Sequence, residues 1–398
     1  MINVKIMTCV VVGGGYAGIH AVTSIQKYVG TKLTKQTLRL ILIEKNPYHL
    51  RKVLLFKPVI GEEEITIPLK KLFPEGVEII QATVTNIQAE NKRIHFQDNL
   101  SKEHCLDYDI LVLAVGSSIR KPDPAQGGMT LSDIESAREI QKKWRANLNK
   151  AKREQDIALR TELLTIAVAG AGISGMETSA ELAHHIRRDA KTIGIDPSDV
   201  KIVLLNSHPR LFQEGPAKVG RALEQALVQR GVTVKHGSKV LKEEGGRVTL
   251  STGERLSVGL CIWTLGLLPN PFIKNLGMPF TNEGGVIVDA YYRVKGLQDV
   301  YCIGDCALVI DPTSGKPDGK TCKEASAQAA RLGRIILADK KGGRAPSHKS
   351  HMEFFCIALG PDQGIVWLRR WGMNMMISGK LGWFIRKWTW DIASLIKQ

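Results

Sequence analysis

The sequence contains no CxxC motif, and its seven cysteines are scattered along 398 residues. An odd, dispersed set argues against a framework of disulfides and is typical of a reducing compartment. Two of them, Cys302 and Cys306 in CIGDC, are close in sequence. We expect both to be small core residues, with a redox pair as the alternative. The sequence also has no apolar run of the roughly 18 residues that a membrane-spanning helix needs. A proton-pumping membrane machine is therefore excluded for this chain alone.

Acidic residues are fewer than basic ones, with 39 Asp and Glu against 55 Lys and Arg, and the net charge is +16. A surface of this sign favours nucleic acid, anionic lipid or phosphorylated ligands. The chain shows no nucleic-acid-binding motif, and the charged run at residues 142–160 is typical of a solvated helix face, so we expect no nucleic-acid partner. The length exceeds that of one typical core, and two or more domains are expected.

A glycine-rich turn lies close to the N-terminus, which lacks the features of a signal peptide. A buried strand is predicted at residues 6–12 and a helix at 19–28, and between them stand Gly13, Gly14, Gly15, Tyr16, Ala17 and Gly18. A second strand at 38–43 ends at Glu44, after a polar insertion at 31–37. This order is typical of a dinucleotide-binding fold, in which the helix N-terminus attracts the pyrophosphate and the acid binds the adenosine ribose.

The same pattern occurs a second time. A strand at 164–169 is followed by Gly170, Ala171, Gly172, Ile173, Ser174 and Gly175, a helix at 176–189 and a strand at 201–205. A single GxGxxG motif is weak evidence, but two in one chain, each between a strand and a helix, are strong. Two more buried strands are predicted within 108–116 and 299–305, and the second ends in Gly304 and Asp305. A carboxylate at the carboxyl end of a parallel strand lies where ligands bind.

With these motifs the chain resembles the glutathione-reductase-like flavoproteins that carry two dinucleotide-binding domains. Within that superfamily it is most similar to the type II NADH dehydrogenases, the single-chain NADH:quinone oxidoreductases. The resemblance is carried by VVGGGYAG, EKNPYHL, LDYDILVLAVGS, AGAGISGMETSAEL, WTLGLLPNP and VYCIGDCA. It implies an α/β fold of two Rossmann-like domains plus a C-terminal amphipathic membrane-associating segment. The expected FAD domain covers 1–120 and 290–345, the NAD(P)H domain 121–289, and the C-terminal segment 346–398.

The resemblance also assigns residues to the two nucleotides. FAD is expected to contact the first glycine turn, Glu44, Lys45, Val84, Ala114, Gly116, Gly304, Asp305 and Ala325. The helix that would start near Glu324 is expected to point its N-terminus at the flavin, where its dipole stabilises the anionic reduced form. NADH or NADPH is expected to contact Gly170, Gly172, Ile173, Ser174, Gly175, Asn206 and Gly266, with Thr264 at the turn that faces the flavin. No metal and no covalent nucleophile is needed.

One residue, Glu177, matches the family's glutamate near the nicotinamide and is the predicted catalytic residue. Glu181 lies one turn further along the same helix, either at the site or as a solvated residue. The strand at 201–205 is followed by Asn206 rather than by an acid, and His208 and Arg210 come next. A missing acid with cations nearby suits the 2′-phosphate of NADPH, whereas Asn206 alone would suit the ribose of NADH.

Two segments depart from the family pattern. The family's quinone region carries glutamines near the start of the helix after Asp305. This chain offers only Gln328, displaced by one residue, and Arg331 stands where the second glutamine would be. Arg51, Lys52 and Val53 stand where the family is usually more aromatic or apolar. Both departures concern the region of the electron acceptor and leave the predicted fold unchanged.

The C-terminal residues 378–397 have the spacing of an amphipathic helix. Its apolar face would contain Leu381, Phe384, Ile385, Trp388, Ile392, Leu395 and Ile396. Lys380, Arg386, Lys387 and Lys397 lie off that face, and Trp383 and Trp390 flank it; Trp367, Arg369, Arg370, Trp371, Met373, Met375 and Met376 lie upstream. Tryptophan beside Lys and Arg favours a membrane interface. The alternatives are that this helix packs on the protein's own core or at a dimer interface. A homodimer is expected.

The predicted function is a non-proton-pumping, FAD-dependent NAD(P)H:quinone oxidoreductase at the cytoplasmic face of the cell membrane. The alternative is a soluble NAD(P)H-dependent reductase that passes electrons to a small redox protein. A sulfide:quinone reductase needs a pair of active-site cysteines, and none lies between Cys105 and Cys261. Disulfide reductases are excluded by the missing CxxC. A redox-signalling flavoprotein that binds nucleic acid is a distant third.

Overall fold

The structure is a computed structural model that describes residues 5–31, 36–61 and 64–396. Lys397 and part of the polar insertion at 31–37 lie outside the described residues. The helices are α1 Tyr16–Ile25, α2 Phe56–Ile60, α3 Leu69–Leu72, α4 Ile134–Ala151, α5 Ile157–Leu163, α6 Ile173–Thr192, α7 Ala217–Gln229, α8 Cys322–Lys341 and α9 Gly379–Ala393. A π-helical turn, Gln26–Gly30, continues α1.

The strands are β1 Lys5–Val12, β2 Gln36–Glu44, β3 Tyr48–Leu50, β4 Thr66–Pro68, β5 Glu78–Gln88, β6 Arg93–Asp98, β7 Glu103–Asp107, β8 Ile110–Leu113, β9 Ser117–Ile119, β10 Met129–Thr130, β11 Thr165–Ala169, β12 Lys201–Leu205, β13 Val232–Lys235, β14 Val240–Glu244, β15 Arg247–Leu250, β16 Arg255–Ser257, β17 Leu260–Trp263, β18 Leu267–Pro269, β19 Val286–Ile287, β20 Val300–Cys302, β21 Ala307–Leu308, β22 Phe354–Ala358, β23 Gly364–Arg370 and β24 Met373–Ser378. They form two large sheets and several small ones.

The first large sheet has the strand order β20-β8-β1-β2-β5-β6-β7. Its first five strands are parallel, and β5, β6 and β7 form an antiparallel meander at one edge. The second half of β1, residues 9–12, is a continuous buried apolar run because both faces of a parallel sheet are covered. Helices α1 and α8 pack together on one face, so the chain returns to this sheet after residue 290.

The second large sheet has the order β10-β17-β11-β12-β13 and is parallel throughout. The predicted strand at 201–205 matches β12, and α6 extends the predicted helix by three residues at each end. An antiparallel ribbon of β9 and β18 connects the two sheet systems. The α/β class and the pair of dinucleotide folds are confirmed by this architecture.

The C-terminal segment contains more than the predicted helix. Strands β22, β23 and β24 form an antiparallel sheet, and α9 packs against β22 and β23. Trp367 is buried in this sheet, where its ring lies near Phe212 and Phe355. Within the described ranges, no helix is long and apolar enough to cross a bilayer.

The charged run at 142–160 is only partly a solvated face. Trp144 and Leu148 on α4 are buried, and Trp144 Nε1 donates to the carbonyl of Val59 at 2.8 Å. The lysines and arginines between residues 142 and 153 are exposed, as an amphipathic helix requires. The prediction of a simple surface segment was therefore wrong for its apolar side. Cys302 and Cys306 are fully buried, which confirms them as core residues, with their Sγ atoms 3.5 Å apart.

Candidate functional site

The first glycine turn lies between β1 and α1. Gly13 has a φ of +106°, and a Cβ placed on it would lie 2.5 Å from the carbonyl oxygen of Ala114. A Cβ on Gly18 would lie 1.8 Å from the carbonyl oxygen of Gly13. A Cβ on Gly15 would meet nothing within 4 Å, and the N-terminus of α1 has no side-chain cap. The turn is tightly packed where strand and helix meet and open in front of the first amides of α1, as a bound pyrophosphate requires.

The second glycine turn reproduces this geometry between β11 and α6. Gly170 has a φ of +116°, and its Cβ would lie 2.4 Å from the carbonyl oxygen of Thr264. A Cβ on Gly175 would lie 1.9 Å from the carbonyl oxygen of Gly170. Gly172 is open in the same way as Gly15, and α6 also lacks a side-chain cap. Two matching pyrophosphate cradles fit one FAD and one nicotinamide nucleotide.

Glu44 lies at the end of β2, next to the first turn. Its Oε2 accepts from the amide of Gly14 at 2.5 Å, and its Oε1 accepts from the amide of Asn46 at 3.1 Å. The carboxylate is therefore fixed beside the turn, where an adenosine ribose would lie. Val84 is buried in β5, which lies on the same side of β1 as the strand that carries Glu44. The side chain of Lys45 is exposed.

The opposite end of the first site lies at the carboxyl ends of β8 and β20. Ser117 Oγ donates to Asp305 Oδ2 at 2.6 Å, and Lys52 Nζ donates to the carbonyl of Ser117 at 2.7 Å. Gly304 has a φ of +76°, and its Cβ would lie 2.7 Å from the Cβ of Ala17. The turn Gly304–Cys306, which follows β20 and carries Asp305, thus lies against the start of α1. These contacts bring the predicted residues of both ends of FAD to one edge of the sheet.

Helix α8 begins at Cys322, two residues before the predicted start, and Thr321 gives it no side-chain cap. Ala325, in its first turn, is buried and lies 3.9 Å from a Cβ placed on Gly304. The uncapped N-terminus next to the Gly304 turn agrees with the predicted helix dipole at the flavin. Gly116, with a φ of +67°, and Gly266, with a φ of +85°, are open positions after β8 and β17.

Gln328 is buried rather than available to a quinone. Its Oε1 accepts from the amide of Gly304 at 2.7 Å, and its Nε2 donates to Asp318 Oδ2 at 2.9 Å. The glutamine therefore holds the Gly304 turn. Arg331 Nη1 donates to the carbonyl of Ala327 on its own helix.

Glu177 lies on the second turn of α6 and is 1% exposed. Arg386 Nε donates to its Oε1 at 2.8 Å, Arg386 Nη2 donates to its Oε2 at 3.1 Å, and the amide of Ala358 donates to Oε1 at 2.9 Å. Burial raises the pKa of Glu177, and the charge of Arg386 opposes that shift. Arg386 is 8% exposed and its guanidinium lies over the ring of Trp390, so the expectation that it serves as a charge beside the membrane face was wrong.

Glu181 is not the solvated residue of the alternative interpretation. It is buried, and Lys57 Nζ lies 3.3 Å from its Oε1. A buried carboxylate needs such a partner because burial without one is costly. The ion pair joins α6 to α2, the short helix that comes soon after the 51–53 segment.

The residues that follow β12, where the ribose of the nicotinamide nucleotide is expected, are held by side-chain contacts. Arg210 donates to the carbonyls of Leu211, Phe212, Gln213 and Gly215. Asn206 Oδ1 accepts from the amide of His208, and its Nδ2 donates to the carbonyl of Arg210. The guanidinium is committed to its own loop, which speaks against Arg210 as a ligand of a 2′-phosphate.

The apolar face predicted for α9 is largely exposed. Leu381, Phe384, Trp388 and Ile392 are each 45% to 59% exposed, which argues against packing on the protein's own core. The neighbouring β23–β24 hairpin adds exposed Trp371, Met373, Met375 and Met376. Arg370 lies 4.1 Å from the centre of the Trp371 ring. We call the eight exposed apolar residues of α9 and the hairpin the C-terminal apolar surface: Trp371, Met373, Met375, Met376, Leu381, Phe384, Trp388 and Ile392. Lys380 and Lys387 are exposed beside it, whereas Trp390 is buried on the opposite side.

Residues 7–330 match the sequence profile of the pyridine nucleotide-disulphide oxidoreductases. The chain belongs to this family. It is therefore an oxidoreductase, and it uses FAD and a nicotinamide nucleotide, which confirms the predicted enzyme class and cofactors.

Named relatives agree with the predicted resemblance. The chain is 25% identical over 393 residues to the type II NADH:quinone oxidoreductase of Staphylococcus aureus, covering 95% of this chain and 92% of the relative. It is 28% identical over 307 residues to an NADH dehydrogenase-like protein of Mycobacterium tuberculosis, covering 75% and 72%. The structure of NDH2 from Plasmodium falciparum with NADH superposes with a TM-score of 0.80 at 17% identity over 98% of this chain and 97% of that one, which shows the same fold.

Four functional contacts were missed from the sequence. The Glu177–Arg386 pair joins residues 209 positions apart, and the period of α9 left Arg386 among the polar residues. The basic segment at 51–53 was noted only as a departure. In the structure Arg51 pairs with Asp391 on α9 at 2.5 Å, and Lys52 reaches Ser117. His49, in NPYHL, is buried with Nδ1 2.9 Å from the carbonyl oxygen of Gly14.

Proposed function

We propose that the protein is a single-chain, non-proton-pumping NADH:quinone oxidoreductase that works on one leaflet of a membrane, at its cytoplasmic face. The observation that carries the proposal is the C-terminal apolar surface, which lies on the same chain as two pyrophosphate cradles. The family membership supplies the redox chemistry, and the relatives named NADH:quinone oxidoreductase supply the acceptor class. A lipid-soluble acceptor is reached most directly by an enzyme that binds the bilayer surface.

The chain's own residues provide binding and orientation, and FAD supplies the two-electron chemistry when bound. Gly13 to Gly18, Glu44 and Asp305 would hold the flavin nucleotide, and Gly170 to Gly175 and Gly266 the nicotinamide nucleotide. Glu177 is proposed to act near the nicotinamide, as a carboxylate fixed by Arg386. We assign the FAD domain to 1–120 and 290–345, the nucleotide domain to 121–289 and the C-terminal segment to 346–398.

NADH is proposed as the physiological donor. The contacts of Arg210 with four carbonyls leave its loop without a free guanidinium for a 2′-phosphate. Asn206 Oδ1 can still accept from a ribose hydroxyl, because an amide oxygen has two lone pairs and one is used by His208.

Membrane attachment is proposed to use the exposed side of α9 and the hairpin tip. Trp371 and Trp388 would lie at the interfacial level, with Lys380, Lys387 and Arg370 facing anionic headgroups. The net charge of +16 favours the same membranes. A homodimer remains a prediction.

The test combines anaerobic flavin reduction with vesicle flotation. NADH should bleach the flavin, and a soluble quinone should restore the oxidised spectrum. A triple variant with Leu381, Phe384 and Trp388 changed to glutamine should keep both reactions and lose binding to anionic vesicles. The matched control changes three apolar residues exposed elsewhere, Leu100, Ile157 and Val228, to glutamine and should still bind vesicles.

Two results would contradict the proposal. Reduction by NADH without reoxidation by quinone would assign the acceptor to a small redox protein, as in the soluble-reductase alternative. Vesicle binding that survives the triple variant, or that was absent before it, would remove the C-terminal apolar surface as the membrane site.

A further inference from the structure

The direction in which FAD lies across the first sheet follows from the strand order. Glu44 ends β2, the glycine turn follows β1, and Ser117 and Asp305 follow β8 and β20. These strands are neighbours in the order β20-β8-β1-β2. The ribose end belongs at Glu44 and the pyrophosphate at the turn, so the flavin ring end belongs beside β8 and β20.

Lys52 lies at that ring end. Its Nζ donates to the carbonyl oxygen of Ser117 at 2.7 Å and lies 3.4 Å from Ser117 Oγ. Ser117 Oγ in turn donates to Asp305 Oδ2 at 2.6 Å. Lys52 begins a 3-10 turn, Lys52–Leu54, whose last residue is buried, so the backbone beneath its side chain is anchored.

The ammonium group is partly buried without a charged hydrogen-bond partner among the described residues. Both of its hydrogen bonds within the described ranges are to oxygen atoms of Ser117, neither of which is charged. Burial lowers the pKa of Lys52, and the nearby charge of Asp305 opposes that shift. Its neighbours Arg51 and Lys57 both have carboxylate partners, Asp391 and Glu181. A cation held in a cofactor site without such a partner is suited to a ligand that becomes negative.

We propose that Lys52 is a positioning cation for the flavin, which stabilises the negative charge that the ring acquires on reduction and so raises its electron affinity. This role requires that the negative charge gained on reduction lies on the flavin ring and not on the pyrophosphate. The inference rests on FAD binding alone and not on the identity of the electron acceptor. Lys52 would act together with the uncapped N-terminus of α8, which favours negative charge at the same end of the cofactor.

The experiment uses the purified holoprotein without nicotinamide nucleotide, quinone or lipid. Two readouts report charge at the ring: the midpoint potential by equilibration with a reference dye, and the dissociation constant of sulfite, which adds to oxidised flavins and leaves negative charge on the ring. The variants are Lys52→Met and Lys52→Thr, which are neutral, and Lys52→Arg, which keeps the charge. Lys71→Met, at an exposed lysine of α3, is the matched control for net charge.

Both neutral variants should bind sulfite at least about tenfold more weakly. The midpoint potential should fall by about 30 mV for each tenfold loss of preference in a two-electron couple. Lys52→Arg should retain most of the wild-type behaviour, and Lys71→Met should be unchanged. FAD content and the melting temperature show which variants are folded, and either neutral variant is sufficient for the test.

Two outcomes would overturn the proposal. If FAD affinity falls while potential and sulfite binding stay at wild-type values, Lys52 pairs with the pyrophosphate. If all three stay unchanged, the lysine only shields Asp305. Absence of quinone reduction by the wild-type protein concerns the proposed function and leaves this inference intact, so the two can fail separately.

Discussion

Arg386 on α9 binds the carboxylate of Glu177 on α6 through two hydrogen bonds, of 2.8 Å and 3.1 Å, in a buried position. The same helix turns Leu381, Phe384 and Trp388 outward. One side of α9 therefore contacts α6, the helix after the second glycine turn, and the other side contributes to the C-terminal apolar surface. This ion pair is the direct connection between the proposed membrane site and the residue predicted to act near the nicotinamide.

Substitution of Arg386 by methionine should destabilise the protein by about 3–5 kcal/mol, because it leaves the charge of Glu177 buried without its partner. Thermal and denaturant unfolding of the holoprotein measure this. The double variant Arg386→Met with Glu177→Gln should recover part of the loss, since the remaining amide carries no charge. The matched control is Arg370→Met at the exposed hairpin tip. Equal stability of the single and double variants would contradict a paired role.

Substitutions in the two glycine turns should impair the binding of different nucleotides. Gly18→Ala should abolish FAD retention, because its Cβ would lie 1.8 Å from the carbonyl of Gly13. Gly175→Ala, with a Cβ 1.9 Å from the carbonyl of Gly170, should keep the FAD spectrum and lose flavin reduction by NADH. Gly61→Ala, where a Cβ meets nothing within 4 Å, is the control. FAD loss in the Gly175 variant would reverse the assignment of the two sites.

Sequence patterns predicted the parts of the fold that repeat over short distances. The strand and helix beside each glycine turn were predicted to within about three residues, because apolar runs and glycines are local signals. Helix α9 was also predicted, but the partner of Arg386 was not, since charge on a helix does not reveal which residue 209 positions away will face it. Lys52 was visible only as a departure from a family pattern, and its contact with Ser117 depends on how β8 and the 51–53 segment meet.

Arg210 provides a test of the nucleotide preference. Because its guanidinium binds the carbonyls of its own loop, Arg210→Gln should weaken NADH and NADPH to a similar extent, by loosening the strand end that carries Asn206. Initial rates of flavin reduction at varied concentrations of each nucleotide measure this. A selective loss of NADPH, with NADH unaffected, would mean that Arg210 binds the 2′-phosphate after all, and the proposal of NADH as physiological donor would fail.

His49 should make the FAD-binding region sensitive to acid. The buried ring has Nδ1 2.9 Å from the carbonyl oxygen of Gly14, and burial lowers its pKa from 6.5 to about 4, although that hydrogen bond opposes the shift. Above pH 6.5 the ring is neutral in both folded and unfolded chains. Between pH 6.5 and 4 only the unfolded chain gains the proton, so the folded state loses stability as pH falls, on the order of 3 kcal/mol in total.

The measurement is the free energy of unfolding of the holoprotein between pH 7.5 and 4. His49→Asn, which cannot gain a proton, should show a shallower decline than the wild type over this window. His208→Asn, at an exposed histidine, should follow the wild-type curve. Identical slopes for His49→Asn and the wild type would show that the ring titrates normally. The Gly14 contact would then not hold a neutral imidazole against the first glycine turn.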